Sequence, residues 1–365
     1  MGAAQMNIER APMGTLADPT LRAAWDQRAV AAPGGDMHQG AAFAADRARR
    51  SIRTLPLYVD GAPLLVCIRS LPIFGLSVAS ISRGPAIPAD APDAERASVP
   101  GRLQRVGEWL RKEEGVVELR VDPWLPASDA LEAEWLRAGF SPCDESFFSK
   151  HAMWVRATAR RGVTEAEIFS HLNATKRNEI SAAHRNGIQV SRLHPEHDLA
   201  ALREAATLVN ETAIRRQFAQ INLDQTLLTW VDLMHSGQME AWVARDAHGA
   251  VIAMETALRH GERLTSHHAG SREVGSSVPA GAVVLLRWTL IETARQEGRI
   301  ADLGGADVVG HREIPQPSEK MYGLYDYKRA FGAEWVAMSG AHRIVLDPRR
   351  YALRSAIRTV LRAGR

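Results

Sequence analysis

Lysine is rare in this chain: Lys112, Lys150, Lys176, Lys320 and Lys328 are all that its 365 residues contain. Lys328 lies inside the block Gly323-Leu324-Tyr325-Asp326-Tyr327-Lys328-Arg329-Ala330-Phe331-Gly332, which follows Asp302-Leu303-Gly304-Gly305 after a variable loop. A cation beside a carbonyl stabilises the negative oxygen formed when a nucleophile attacks it, at about 3 kcal/mol per donor. That makes Lys328 the candidate for acyl-transfer chemistry; its other reading is a lysine capping a short helix or forming a surface ion pair. Asp302 falls near the end of the apolar run Ile300–Leu303, which reads as a buried strand, and α/β folds bind ligands at the carboxyl ends of strands. It can hold or deprotonate an ammonium, or it can fix the Gly304-Gly305 turn. The two glycines allow a sharp turn or a close approach of backbone to ligand. No dedicated general base stands out.

The elements that must position these residues follow from hydrophobic period and punctuation. In the first half, Met37–Arg50 reads as a helix, and Leu55–Asp60 with Ala62–Ile68 as a hairpin turned at Asp60-Gly61. A strand over Leu76–Arg83, a helix over Val99–Glu113, a strand over Val116–Val121 and a helix over Leu131–Ala138 complete it. In the second half, Thr164 to Glu167 reads as a capping box. Helix Thr175–Asn186, strand Ile188–Leu193 and helices His197–Ile214 and Asp224–Met234 follow. Strands are expected over Glu240–Arg245, Val251–Ala257 and Leu264–Ala269, and a long helix from Pro279 to Gln296. Strand Ile300–Leu303, helix Leu324–Phe331, strands Glu334–Met338 and His342–Leu346 and a basic helix Tyr351–Leu361 end the chain. Each half repeats helix, three strands, helix, strand, helix, strand. The pattern predicts two copies of one α/β unit with a mixed sheet.

Composition narrows the function classes. The net charge is only +3, which argues against a protein that coats nucleic acid non-specifically but permits a local phosphate-reading patch. No apolar run approaches the length of a membrane-crossing helix, and Met1 to Gly14 lacks the basic and apolar regions of a signal peptide, so a cytoplasmic protein is expected. Cys67 and Cys143 have no CxxC partner and read as core thiols; the histidines are scattered, with no HExxH. No metal or tightly bound organic cofactor is expected.

The DLGG and GLYDYKRAFG segments resemble those of the FemAB family, the aminoacyl-tRNA-dependent aminoacyltransferases that include FemX. Three further segments carry the same resemblance. They are Lys176-Arg177-Asn178-Glu179-Ile180 ahead of Gly187, Arg83-Gly84-Pro85 after a strand, and Gln39, Phe43 and Arg47 at four-residue steps. The resemblance implies tandem GNAT-like acyltransferase domains. It implies transfer of an amino acid from aminoacyl-tRNA to an amine, usually on a peptidoglycan precursor and in some members on other small amines such as antibiotic precursors. It gives Lys328 a transition-state or substrate-contact role. It places Arg47 where a basic residue contacts the phosphates of a nucleotide-linked precursor, with a solvated face as the alternative. It brings Arg215 and Arg216, ahead of Phe218, to the substrate. His267, His268 and Ser271 fall where the family often has an aromatic side chain beside the substrate, a departure that points to a different acceptor. Tyr325 joins the substrate side; its spacing with Tyr327 and Phe331 also suits helix packing.

The expected division is residues 1–155 for the acceptor, 156–346 for the acyl donor, and a basic helix over 347–365 packing across both. The arginines Arg354, Arg358 and Arg362 on that helix suit a solvated stripe or contact with tRNA. The competing reading is an acyl-CoA-dependent N-acyltransferase, for which Arg272-Glu273-Val274-Gly275-Ser276-Ser277 is a partial pyrophosphate-loop match.

Overall fold

Leu55, Leu57 and Val59 are buried at every second position, the period of a half-buried strand. Asp60 and Gly61 follow with φ of 50° and 77°, so both central residues of the turn are left-handed and the hairpin closes in two residues. The protein is described by a computed structural model covering residues 6–71, 76–143, 148–273, 280–306 and 313–353.

The chain forms two compact units, Met1–Lys150 with Ala337–Arg365, and His151–Val336. In the first, β1 (Ile8–Arg10), α1 (Pro19–Asp26), α2 (Ala41–Arg49), β2 (Arg53–Val59), β3 (Ala62–Leu71), β4 (Leu76–Ser82), α3 (Asp93–Glu114), β5 (Val116–Asp122), α4 (Asp129–Arg137) and β6 (Ser141–Pro142) follow one another. The second contains β7 (His151–Val155), α5 (Glu165–His171), α6 (Ala174–Arg185), β8 (Gln189–Arg192), α7 (Leu199–Arg216), α8 (Leu223–His235), β9 (Met239–Arg245), β10 (Val251–His260), β11 (Arg263–Ser271), α9 (Ala282–Gln296), β12 (Ile300–Asp302), α10 (Tyr322–Arg329) and β13 (Glu334–Ala337). Strand β14 (His342–Val345) then returns to the first unit.

The two sheets are built alike. The first runs β1-β2-β3-β4-β5-β14-β6 and the second β13-β7-β12-β11-β10-β9-β8. Each contains a parallel pair, β4 with β5 and β11 with β12. Parallel neighbours need a crossover, which α3 and α9 supply. Leu103, Val106 and Leu110 of α3 pack with Leu57, Val66 and Leu119 in one core. Leu286, Leu290 and Ile291 of α9 pack with Ala253, Leu264 and Ala301 in the other.

The duplicated α/β unit expected from the sequence is present, with corrections. His151–Val155 pairs with β12 in the second sheet, and His342–Val345 pairs with β5 in the first. The boundary therefore moves from 155/156 to 150/151, and residues 337–346 change sides. Both segments are short and their partner strands are distant in sequence, so period alone assigns them to neither sheet. Helix α3 starts at Asp93 rather than Val99, with Pro100 inside it. Asp93 and Glu95 in the first turn suit the positive end of the helix, and Gly115 ends it in the left-handed conformation. The Thr164 capping box forms with both of its hydrogen bonds. Most of the expected basic tail helix, including Arg354, Arg358 and Arg362, lies outside the described residues.

Gln39 ties α2's approach to the first sheet. Its amide donates to Ser82 O (2.7 Å) and its Oε1 accepts from Leu65 N–H (2.8 Å), with 2% of the residue exposed. A Gln39→Leu substitution strands both backbone groups, and we expect it to destabilise the protein by roughly 2–4 kcal/mol. The urea midpoint of the full chain measures this; an unchanged midpoint would show the amide to be dispensable.

Candidate active site

Strands β11 and β12 pair from Arg263 with Ile300 to Thr265 with Asp302, and there the ladder stops. The backbone beyond needs partners from elsewhere. Leu303 N–H donates to Met153 O (2.8 Å). Gly304 N–H donates to Asp302 Oδ1 (2.9 Å). Gly305 O accepts from Lys328 Nζ (2.5 Å), and Ala306 N–H donates to His151 Nε2 (2.7 Å). Gly304 has φ 73°, a conformation that favours glycine. Asp302 is fully buried, and its second oxygen accepts from Thr265 Oγ1 (3.4 Å) and lies 3.9 Å from Arg263 Nη1. Asp302 thus fixes the Gly304 turn through Oδ1.

Lys328 is 6% exposed, on the face of α10 turned toward this loop. The same helix joins two of the sequence segments: Lys176 Nζ lies 4.8 Å from the centre of the Tyr327 ring, and Asn173 N–H donates to Ala330 O (2.9 Å). Tyr325 sits edge-on to Trp335, which stacks flat on His151 at 3.8 Å. Because His151 Nε2 accepts a backbone hydrogen bond, the neutral ring carries its proton on Nδ1. Lys328, Asp302, Gly304 and Tyr325 thus share one end of the second unit.

Of the other expected residues, Arg215 and Ser271 meet, Arg216 is the neighbour of Arg215 at the end of α7, and His268 packs separately. Arg215 Nη2 donates to Ser271 O (2.7 Å), with Thr212 Oγ1 at 3.3 Å; Arg216 beside it is exposed. Ser271 lies six residues along β11 from Thr265, roughly 20 Å of strand, so the Arg215–Ser271 pair stands apart from the β11–β12 end. Between them β11 carries a bulge: Ala257 pairs with Ser266, but Glu255 pairs with Ala269. The extra residue turns Ser266 toward Glu255 while His268 faces the other way, against Trp230 at 5.6 Å.

In the first unit, the Gln39-Phe43-Arg47 segment and Arg83-Gly84-Pro85 come together. A side chain at Gly84 would meet the Gln39 amide at 2.7 Å, which explains the glycine. Arg83 has φ 58°, costly for a residue with a side chain, and its guanidinium lies 4.1 Å from the Trp124 ring and 4.0 Å from Phe148. His38 stands edge-on to Phe148 and Phe43, and the Arg47 guanidinium lies 4.7 Å from Phe43. Arg47 also pairs with buried Asp46 (2.5 Å). Burial pushes the Asp46 carboxyl up, but Arg47 and Arg50 outweigh it and the net shift is downward.

Sequence reasoning passed over His151, Glu255, Ser266 and Arg287. Two left a signal, a lone charge inside an apolar run: Glu255 in Val251–Leu258 and Arg287 in Ala282–Ile291. Within the CoA-type segment, Arg272 donates to Val251 O (2.8 Å) and pairs with Glu204 (2.9 Å); Val274 to Ser277 and Pro279 lie outside the described residues. Among the described residues, no three His, Cys, Asp or Glu side chains stand together as a metal site, and no helix is long and apolar enough to cross a membrane.

Removal from water pushes the His268 pKa down to about 4, and its Nδ1 is enclosed without a partner. Between about 6.5 and about 4 the unfolded chain binds a proton here that the folded chain does not, so this residue costs stability as pH falls through that window. We expect the His268 ring to remain neutral at pH 5 by NMR and His268→Phe to flatten the acid limb of the stability curve. Titration of this ring near 6.5 would contradict the assignment.

Residues 170–329 match the acetyltransferase (GNAT) domain family, a span holding Lys176, Asp302 and Lys328. The crystal structure of FemX superposes with a TM-score of 0.74 at 14% identity, over 94% of this chain and 99% of that one. The structure of L-PGS from Bacillus licheniformis matches with a TM-score of 0.54 at 13% identity, over 91% and 93% of the two chains. A conserved protein of unknown function from Bacteroides thetaiotaomicron matches with 0.54 at 10% identity, over 93% and 98%. No curated protein sequence matches this chain. At these identities the likeness is one of fold: the chain has the FemX-like tandem arrangement of GNAT-type units, and the second holds the residues that match the acetyltransferase (GNAT) domain family.

Proposed function

We propose that this protein is an acyltransferase that moves an amino acid from aminoacyl-tRNA to the amine of a peptidoglycan precursor, or of a related small-molecule or peptide acceptor. The observation that carries the reading is Lys328, a buried lysine held by Gly305 O at the carboxyl end of a parallel strand pair. An ammonium has three N–H donors, and fixing one on a carbonyl sets the direction of the others. The neutral acceptor amine attacks the ester carbonyl, a C–N bond forms, and the oxygen that becomes negative is met by Lys328. The C–O bond to the ribose then breaks, and the ribose oxygen leaves with the proton lost by the amine. We assign the donor side to the second unit and the acceptor side to the first, where Arg47 faces Phe43 and Arg83 faces Phe148.

Donor choice between charged tRNA and acyl-CoA turns on the head of α9. CoA-type sites need open N–H groups there for a pyrophosphate. A side chain at Gly281 would meet Ala183 Cβ at 2.9 Å and Glu179 O at 3.1 Å, so α6 packs a methyl group and a carbonyl oxygen against this helix start. The transfer assay below distinguishes the two donors.

Labelled transfer from a panel of charged tRNAs and a panel of acyl-CoAs tests the proposal. Ribonuclease-sensitive transfer is expected, and transfer from purified acyl-CoA alone would replace the donor. Lys328→Met should lower turnover more than about tenfold with the fold intact, the loss of at least one oxyanion contact. A normal rate in that variant removes Lys328 from the chemistry.

A further inference from the structure

The hydrogen bonds of a parallel strand pair are evenly spaced, so the β11–β12 ladder advances by two residues on each strand. Ile300 N–H donates to Glu262 O (2.8 Å), and the last register pair is Thr265 with Asp302. The next rung in that series would join Gly304 N–H to Ser266 O. It does not form, because Asp302 Oδ1 holds the Gly304 N–H (2.9 Å). Ser266 itself is anchored from the side. Its hydroxyl donates to Glu255 Oε1 (2.9 Å) on β10, next to the bulge between the Glu255 and Ala257 pairings. A half-buried strand residue therefore presents a carbonyl whose ladder partner has been diverted.

Space lies beside that carbonyl. Apart from its chain neighbours, a Cβ atom built on Gly304 would meet two atoms of the described residues within 4 Å: Lys328 Nζ at 3.6 Å and Ser266 O at 3.7 Å. Both are ordinary contact distances, so the opening takes one carbon atom between an ammonium and a carbonyl. Gly270, further along β11, is different: a Cβ there would collide with the Leu208 backbone at 2.5 Å, and close packing explains that glycine. At Gly304 packing leaves the place empty of side chains.

We propose that this opening recognises the α-amino group of the amino acid being transferred, with Ser266 O as its hydrogen-bond acceptor. The inference rests on the transferase reading and narrows it, from acyl donors in general to α-aminoacyl esters. Such a group carries an N–H donor and a carbonyl oxygen on either side of a single carbon. With the carbonyl oxygen at Lys328, as in the transfer step, that carbon falls beside Gly304. The amino N–H groups then reach Ser266 O and supply the rung that the ladder lacks. A plain acyl group brings the oxygen but no N–H, and it covers Ser266 O without satisfying it. No bond to the α-amino nitrogen forms or breaks; the nitrogen is held while the ester is exchanged.

The unaltered full-length protein is enough for the test. Transfer is measured from a charged tRNA, from the same tRNA with the α-amino group replaced by hydroxyl, and from the same tRNA with it replaced by hydrogen. Each rate is divided by the hydrolysis rate of that ester in buffer, which removes differences in intrinsic reactivity. The corrected rates should fall in that order, with the hydrogen analogue at least about tenfold below the aminoacyl donor, the effect of leaving one buried acceptor unsatisfied. Gly304→Ala sets a methyl group in the opening and should bring the aminoacyl and hydrogen donors to similar corrected rates. General damage to the fold would lower both and keep their ratio. The urea midpoint of this variant records separately the cost of an alanine at a left-handed φ. If the variant does not fold, the donor comparison on the unaltered protein decides alone. Equal corrected rates from the aminoacyl and hydrogen donors overturn the proposal and leave the transferase reading standing. Transfer from no charged tRNA sinks that reading, and this site with it.

Discussion

A buried backbone group must be hydrogen-bonded, and in the second unit that requirement falls where the β11–β12 ladder runs out. Four successive residues, Leu303 to Ala306, are satisfied one at a time by a strand carbonyl, a carboxylate, an ammonium and an imidazole. Three of those four partners are ionisable side chains. The demands of folding therefore concentrate Asp302, Lys328 and His151 around one short turn, where sheets of this kind bind ligands. Structural satisfaction and chemical potential come from the same contacts.

The first unit repeats the sheet but not this solution. Its parallel pair β4–β5 runs on to Ser82 with Asp122, and the next residue, Arg83, takes a left-handed backbone with its guanidinium between two aromatic rings. The Gln39 amide fills the space that a side chain at Gly84 would need. One sheet end is thus finished by a carboxylate, an ammonium and an imidazole on the backbone, and the other by a guanidinium set against two rings and the Asp122 carboxylate (3.5 Å). The same scaffold offers two surfaces of different chemistry.

Local segments were legible in the sequence where a single stretch of chain determines the outcome. The Thr164 capping box, the Asp60-Gly61 hairpin and the Gly304-Gly305 turn all depend on neighbours a few residues away. The family-like blocks were readable for the same reason, and α10 and α6 do meet through Tyr327 and Lys176. Residues whose roles come from distant partners were not legible. His151 matters because Ala306 folds back onto it, and Glu255 because Arg287 arrives on the helix opposite. His268 and Ser266 share one strand yet face opposite sides, because the bulge adds a residue that no periodicity reveals. Arg215 and Ser271 contact each other, but strand length separates them from Lys328.

Strand β14 lies between β5 and β6 in the first sheet although it comes from residues 342–345. During synthesis, β5 therefore waits with one row of N–H and C=O groups uncovered while the whole second unit is made. The first unit is no autonomous N-terminal module that matures as it leaves the ribosome, since its sheet closes last. A chain cut before His342 would leave that edge of β5 without the strand that covers it in the full-length protein.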